Sequence, residues 1–130
     1  MQWSDQADGG FSLVKPWNII GDYHKINVAK QINDPQSIFT YYRRIIALRK
    51  SDQYRDVLVY GTYEGLWMEH PDLFAYMRSY AHQRLLVIAN MTKKTVALPS
   101  IPYQQVKIIL ANYEGRQLSP ALLPYEAMLI

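Results

Sequence analysis

Residues 73–92 read "LFAYMRSYAHQRLLVIANMT", and the fold turns on how this stretch is read. Its halves, "LFAYMRSY" and "RLLVIANMT", are short and rich in Leu, Val, Ile and Tyr, and the polar "AHQ" between them has turn chemistry. The pattern predicts two strands. Residues 85–91 are apolar on both faces, which predicts a central strand. Working outward, "VLVYGTYEGLWM" (57–68), "QVKIILANY" (105–113) and "PYEAMLI" (124–130) read as further strands. The stretches "EHPD", "LPSIP" and "EGRQLSP" punctuate them with Pro, Gly or polar pairs. Short strands spaced in this way predict an antiparallel β-sandwich or open barrel.

Upstream the period becomes helical. In "PQSIFTYYRRIIALRK" (35–50), Ile38, Tyr41, Tyr42, Ile45 and Leu48 recur on one face, widened by Phe39 and Ile46. Asp34 is placed to cap this helix, Pro35 suits its first position, and Arg49 and Lys50 suit its negative end. Residues 1–34 are irregular, with Gly, Pro and Asp too closely spaced for long elements. The chain therefore divides into a loop-plus-helix segment (1–52) and an all-β domain (53–130). The opening "MQWSDQADGGF" reads as a turn-rich loop entering an aromatic residue. It is expected to be the middle of something larger.

Composition narrows the function classes. The 130 residues carry a net charge of +3 and no cysteine. Disulfides and thiolate metal sites are therefore excluded, and a reducing, cytoplasmic compartment is expected. No apolar run approaches the ~20 residues of a membrane helix. Four basic side chains fall within 35–50, while five acids against Arg55 alone fall within 51–72. Without a long basic stripe, nucleic acid is not an expected partner.

Most chemical motifs are missing. His24, His70 and His82 lie far apart in turns or loops, with no metal-ligand spacing. Gly9 and Gly10 have no strand before them and no helix after them, so they make no phosphate loop. A glycoside-cleaving pair needs two carboxylates held roughly 5–9.5 Å apart on rigid elements. Asp5 and Asp8 share one loop, and Glu69 and Asp72 another, while Glu64, Glu114 and Glu126 lie in or beside expected strands. None of these spacings marks a catalytic pair. The eleven tyrosines and three tryptophans are by default packing residues. Trp3, Trp17 and Trp67 are the exceptions to examine, Trp3 above all because it lies in an irregular loop.

Taken together, the motifs resemble the α-amylase superfamily, specifically its branch of oligo-1,6-glucosidases, dextran glucosidases, α-glucosidases and trehalose-6-phosphate hydrolases. The family pattern Arg-Thr-Pro-Met-Gln-Trp-Asp, followed by Asn-Ala-Gly-Phe, is met by "MQW" at Met1 to Trp3 and "DGGF" at Asp8 to Phe11. "KPW" follows at Lys15 to Trp17, then "GDYHKINV" at Gly21 to Val28 and "DPQSIFTYYRRIIALRK" at Asp34 to Lys50. Farther on come "VYGTY" (59–63), "FAYMR" (74–78), "LLVIANMT" (85–92) and "LPYEAMLI" (123–130). The likeness runs in order over essentially the whole chain. Two departures stand out: Ser4 where Asp is common, and Asp8-Gly9 in place of Asn-Ala.

The resemblance implies a mainly β fold, a C-terminal antiparallel β-sandwich domain preceded by a loop and the last helix of a (β/α)8 barrel. It implies a retaining α-glucosidase acting on α-1,6-linked or related short gluco-oligosaccharides, with no cofactor or metal. The family's nucleophilic Asp, acid/base Glu and stabilising Asp lie upstream of the region covered, so no catalytic residue is assigned. Gln2 and Trp3 are substrate-proximal by adjacency alone. The segment by itself is expected to be structural and inactive, and its helix stripe to drive self-association or to repack on the sheet. A stand-alone carbohydrate-binding or interaction module is the alternative.

Overall fold

A computed structural model describes residues 1–101 and 106–130. It divides the chain into two compact units, Met1–Ala47 and Leu48–Ile130. Pro102 of the expected "LPSIP" turn and Gln105 at the head of the expected strand 105–113 lie outside the described residues.

The first unit is mostly loop. A tight turn at Ala7–Gly10 puts Asp8, Gly9 and Gly10 in succession at positive φ. A one-turn helix α1 (Val28–Gln31) begins at buried Asn27, whose side chain accepts from the Lys30 amide (2.9 Å) and donates to the Tyr23 carbonyl (2.8 Å). Helix α2 (Ile38–Lys50) starts three residues later than expected. Ser37, not Asp34, caps it, its hydroxyl accepting from the Thr40 amide at 3.1 Å. Asp34 is spent on the preceding turn, where its carboxylate accepts from the Gln36 amide at 2.8 Å. An Asx turn and an N-cap compete for the same side chain, and here the turn wins.

The second unit contains the sheets. A short helix α3 (Arg55–Tyr60) occupies part of the stretch read as a strand from residue 57, which corrects that expectation. Val57 is fully buried on α3. Arg78 donates to the carbonyls of Val57, Leu58 and Val59 (3.3–3.4 Å), and Arg49 to that of Leu58 (3.0 Å). These two cations satisfy the orphaned carbonyls at the negative end of the helix. They offset the weak helix propensity of "VLVY". At Gly61 the chain leaves the helix, and a Cβ there would overlap the Val57 carbonyl oxygen and lie 3.1 Å from that of Ser79. The glycine of "VYGTY" is thus required by close backbone approach.

Strands β1 (Thr62–Leu66), β2 (Leu73–Tyr80) and β3 (Gln83–Asn90) form an antiparallel meander. With β4 (Val96–Ala97), β5 (Leu110–Ala111), β6 (Ala121–Leu122) and β7 (Ala127–Leu129) they make two sheets. The larger has the order β1-β2-β3-β7-β5, and the smaller pairs β4 with β6. As its apolar faces predict, β3 is the middle strand. Leu73, Ala75, Met77, Leu86, Ile88, Met128 and Ile130 from one face of the large sheet share a core with Val96 and Leu122 of the small one. On the other face Leu85 and Leu129 pack with Val57 of α3, flanked by Leu48, Tyr54 and Leu58. That second cluster explains why both faces of β3 are apolar.

Candidate functional site

Gln2 and Trp3 sit at a junction of the first unit. The Trp3 and Ser4 amides donate to the Gly9 carbonyl (2.8 and 3.1 Å). The Val28 and Ala29 amides donate to the carbonyls of Gln2 and Trp3 (3.0 and 2.9 Å). In the orientation that satisfies its neighbours, the Gln2 amide donates to the Ile26 carbonyl and accepts from the Gly21 amide, both at 3.0 Å. Three sequence-distant segments, around residues 9, 21 and 26–29, are therefore tied to one short strip, residues 2–4, through its backbone and the Gln2 side chain. A Cβ at Gly21 would come within 2.8 Å of the end of the Gln2 side chain, so "GDYHKINV" begins on a glycine for room. At Gly10, with φ +71°, a Cβ would overlap the Ser4 hydroxyl. Ser4, standing where Asp is common, accepts from the Gln6 amide (3.3 Å), a side-chain-to-backbone turn of the kind Asp also makes.

The Gln2 side chain is consumed by this scaffold, whereas the Trp3 ring is 51% exposed. An open cleft of about 690 Å³ lies between Gln2, Phe11, Lys15, Trp17, Ile19 and Gly21. A second, of about 490 Å³, is bounded by Trp3, Val28, Gln31, Ile38, Phe39 and Tyr42. Trp17 of "KPW" is 96% exposed at the first cleft. Such surfaces offer π faces and a few polar groups, suited to holding a ligand that is apolar on one side.

The carboxylates are placed elsewhere. Among the described residues that line the two clefts there is none. Asp5 pairs with Lys30 (3.7 Å) and Asp22 with Lys25 (3.2 Å), both exposed. Glu126 is fully buried, but in the second unit, where it pairs with the Arg116 guanidinium and accepts from the Leu123 amide (2.6 Å). The carboxylate raises the Arg116 pKa above its ordinary value through that hydrogen bond. Buried Asn90 lies alongside: it donates to the carbonyls of Lys94 and Leu123 (2.6 and 2.8 Å), and accepts from the Thr92 amide and hydroxyl (2.9 Å each). "LLVIANMT" and "LPYEAMLI" thus meet in a closed polar network with structural work to do. His70 accepts from the Asp72 amide (3.2 Å) in a turn, and the His24 ring stacks on Tyr23. Groups of three or more metal-ligating side chains are absent among the described residues.

Sequence reasoning missed Arg78 and Arg116 as anchors. "FAYMR" and "EGRQLSP" display each arginine without its partner, and only the fold supplies the carbonyls and the carboxylate.

Comparison with known proteins bears on both units. Residues 1–61 match the family model described as "Alpha amylase, catalytic domain", and residues 73–128 match "Alpha-amylase SusG C-terminal domain". The chain is 40% identical over 135 residues to the oligo-1,6-glucosidase of Bacillus cereus, covering 98% of this chain and 24% of that protein. To the oligo-1,6-glucosidase of Heyndrickxia coagulans it is 41% identical, covering 98% and 22%. To the trehalose-6-phosphate hydrolase of Escherichia coli it is 35% identical, covering 98% and 24%. The crystal structure of Bacillus licheniformis trehalose-6-phosphate hydrolase superposes with a TM-score of 0.83 at 28% identity, again over 98% of this chain and 24% of that one. The chain thus spans about a quarter of the length of the relatives it matches.

Proposed function

The chain belongs to the α-amylase family, and on that premise we propose that it is the C-terminal portion of a retaining α-glucosidase. The parent enzyme hydrolyses α-1,6-linked or related gluco-oligosaccharides in cytoplasmic carbohydrate metabolism. In this reading residues 1–33 are a loop region on the active-site side of a (β/α)8 barrel and α2 is that barrel's last helix. The sheets of the second unit form a β-sandwich that buttresses the barrel. Gln2 holds the loop together, and the exposed Trp3 ring faces the substrate side. One observation carries the proposal: a catalytic-domain match is followed, in a single chain, by a match to a C-terminal domain of the same family.

The chemistry points the same way. Retaining hydrolysis needs an ionised nucleophile beside a protonated acid, and Asp5 and Asp22 of the loop are exposed ion-pair partners instead. Alone, the chain is expected to release no glucose from isomaltose or an aryl α-glucoside. Grafted in place of the matching quarter of the Bacillus cereus oligo-1,6-glucosidase, it is expected to complete an active enzyme. Turnover by the isolated chain that copurifies with it, or a folded but inactive graft, overturns the proposal. The exposed Trp17 and Trp3 favour one other reading, a carbohydrate-binding module. Saturable quenching of tryptophan fluorescence by isomalto-oligosaccharides in the isolated chain would select it.

A further inference from the structure

Asn90, Met91 and Thr92 form an Asn-x-Thr triplet, the recognition sequence for N-linked glycosylation. Such a triplet ordinarily lies in a surface loop, where a sugar can reach the asparagine nitrogen. Here it ends the central strand β3, and Asn90 is only 2% exposed. Its carboxamide nitrogen has two N–H bonds, and both are spent. One goes to the Lys94 carbonyl at 2.6 Å and the other to the Leu123 carbonyl at 2.8 Å. The carboxamide oxygen accepts from the Thr92 amide and hydroxyl, each at 2.9 Å. The triplet is thus folded back on itself, its nitrogen turned inward and its threonine hydroxyl already satisfied. Leu123 in turn gives its own amide to the carboxylate of fully buried Glu126 at 2.6 Å. Moving Asn90 away from Leu123 therefore disturbs the Glu126–Arg116 pair as well.

We propose that Asn90 is a glycosylation site of the unfolded chain alone, and that a sugar on it and the native second unit exclude one another. The sugar donor is a nucleoside diphosphate hexose. In the transfer the bond from the anomeric carbon to the phosphate oxygen breaks, and the nucleoside diphosphate leaves with the electron pair. A bond forms from that carbon to Asn90 Nδ2, and one amide proton passes to a base of the transferase. An amide lone pair is delocalised into its carbonyl, so the nitrogen reacts only once a transferase has gripped and turned the carboxamide. That needs both N–H bonds free, and in the fold neither is. The exclusion also runs the other way. A glycosylated Nδ2 keeps one N–H for two carbonyls, so a buried carbonyl loses its donor. A polar sugar would also have to enter the interior.

The test supplies a soluble N-glycosyltransferase and uridine diphosphate glucose either during cell-free synthesis of the full chain or after it has folded. Lys93→Asn provides the control: it makes a second Asn-x-Thr triplet of positions 93–95, where Lys93 and Thr95 are both exposed. Peptide mapping by mass spectrometry is expected to find hexose at position 90 when the transferase is present during synthesis. Added to the folded variant, the transferase is expected to modify position 93. Position 90 should then react at least about a hundredfold more slowly, since a folded domain spends well under about 1% of its time unfolded. Chains that carry the sugar at position 90 are expected to stay sensitive to protease and to show no cooperative melt of the second unit. Modification of position 90 in the folded chain at the rate of position 93 overturns the proposal. So does a chain glycosylated at position 90 that resists protease and melts as the unmodified one does. An Asn90 left bare throughout synthesis overturns it as well.

Discussion

Glu126 carries a charge into the interior of the second unit. It is fully buried, and its charge is balanced by Arg116, whose side chain is still 20% exposed. Removing one partner of a buried pair leaves the other uncompensated. Glu126→Ala is therefore expected to cost about 2–4 kcal/mol, toward the lower part of the usual range because water reaches Arg116. Urea unfolding would show it as a lowered midpoint at constant slope, and a midpoint within error of the wild type would contradict it. Ala81 offers the opposite test. It opens the two-residue turn between Tyr80 and Gln83 with φ +50°, a region costing an L-residue roughly 1 kcal/mol. Ala81→Gly should recover part of this, and a melt should read it as a rise of about 2–5 °C. Gly61 behaves differently: its φ is ordinary, and the neighbouring carbonyl oxygens alone forbid a side chain.

The elements show which parts of the fold were legible and why. β2 lies where "LFAYMRSY" predicts it, because its alternating burial leaves a period-2 signature, and β3 spans the apolar run after "AHQ", because it is packed on both faces. α3 was illegible, since its β-branched "VLVY" favours a strand and its stabilisers, Arg78 and Arg49, come from other elements. An isolated helix of six residues is marginal, so tertiary capping must hold it. Arg78→Met, which keeps much of the apolar stem, is expected to destabilise the second unit by about 1–2 kcal/mol, the worth of charge-assisted bonds at this length. Hydrogen exchange would localise the loss to residues 55–60. Uniform loss across β2 and β3 would deny the capping role. The two-residue strands β4 and β6 leave no periodic trace in the sequence. In the loop unit, spacing could not reveal how Gln2 ties residues 21 and 26–29 together, because the bonds are mostly to backbone. Only the resemblance placed "MQW" and "GDYHKINV" in one loop region. α2 adds a pH test. Burial raises the Tyr41 pKa, which favours the neutral phenol in the fold. Its contribution is fully present below the unfolded tyrosine value and lost as pH rises through the higher folded one. Tyr41→Phe should therefore flatten stability in the alkaline range, which melts at stepped pH would read.

At the scale of the whole chain the apolar surface outruns what a monomer hides. None of the α2 residues is buried; Ile38 is 70% exposed and Ile46 50%, with Tyr42 and Ile45 exposed between them. The stripe that the sequence predicts is therefore present, half-buried at Phe39, Tyr41 and Leu48 and uncovered at Ile38, Tyr42, Ile45 and Ile46. Met68, Phe74 and Tyr63 expose more apolar surface in the other unit. Soluble monomers seldom leave contiguous apolar patches beyond a few hundred Å², while burial returns roughly 25 cal/mol per Å². The isolated chain should therefore associate with itself as concentration rises, and sedimentation velocity should show the shift. The two surfaces predict different variants. If α2 drives association, Ile38→Glu/Ile46→Glu should restore the monomer while Phe74→Ser/Tyr63→Ser leaves association intact; if the sheet face drives it, the outcomes should reverse. Joined to the catalytic portion in the graft, the chain should lose its concentration dependence without any substitution, because the proposed barrel would cover the α2 stripe. A monodisperse monomer at high concentration that retains the exposure of Ile38, Tyr42, Ile45 and Ile46 would contradict this account.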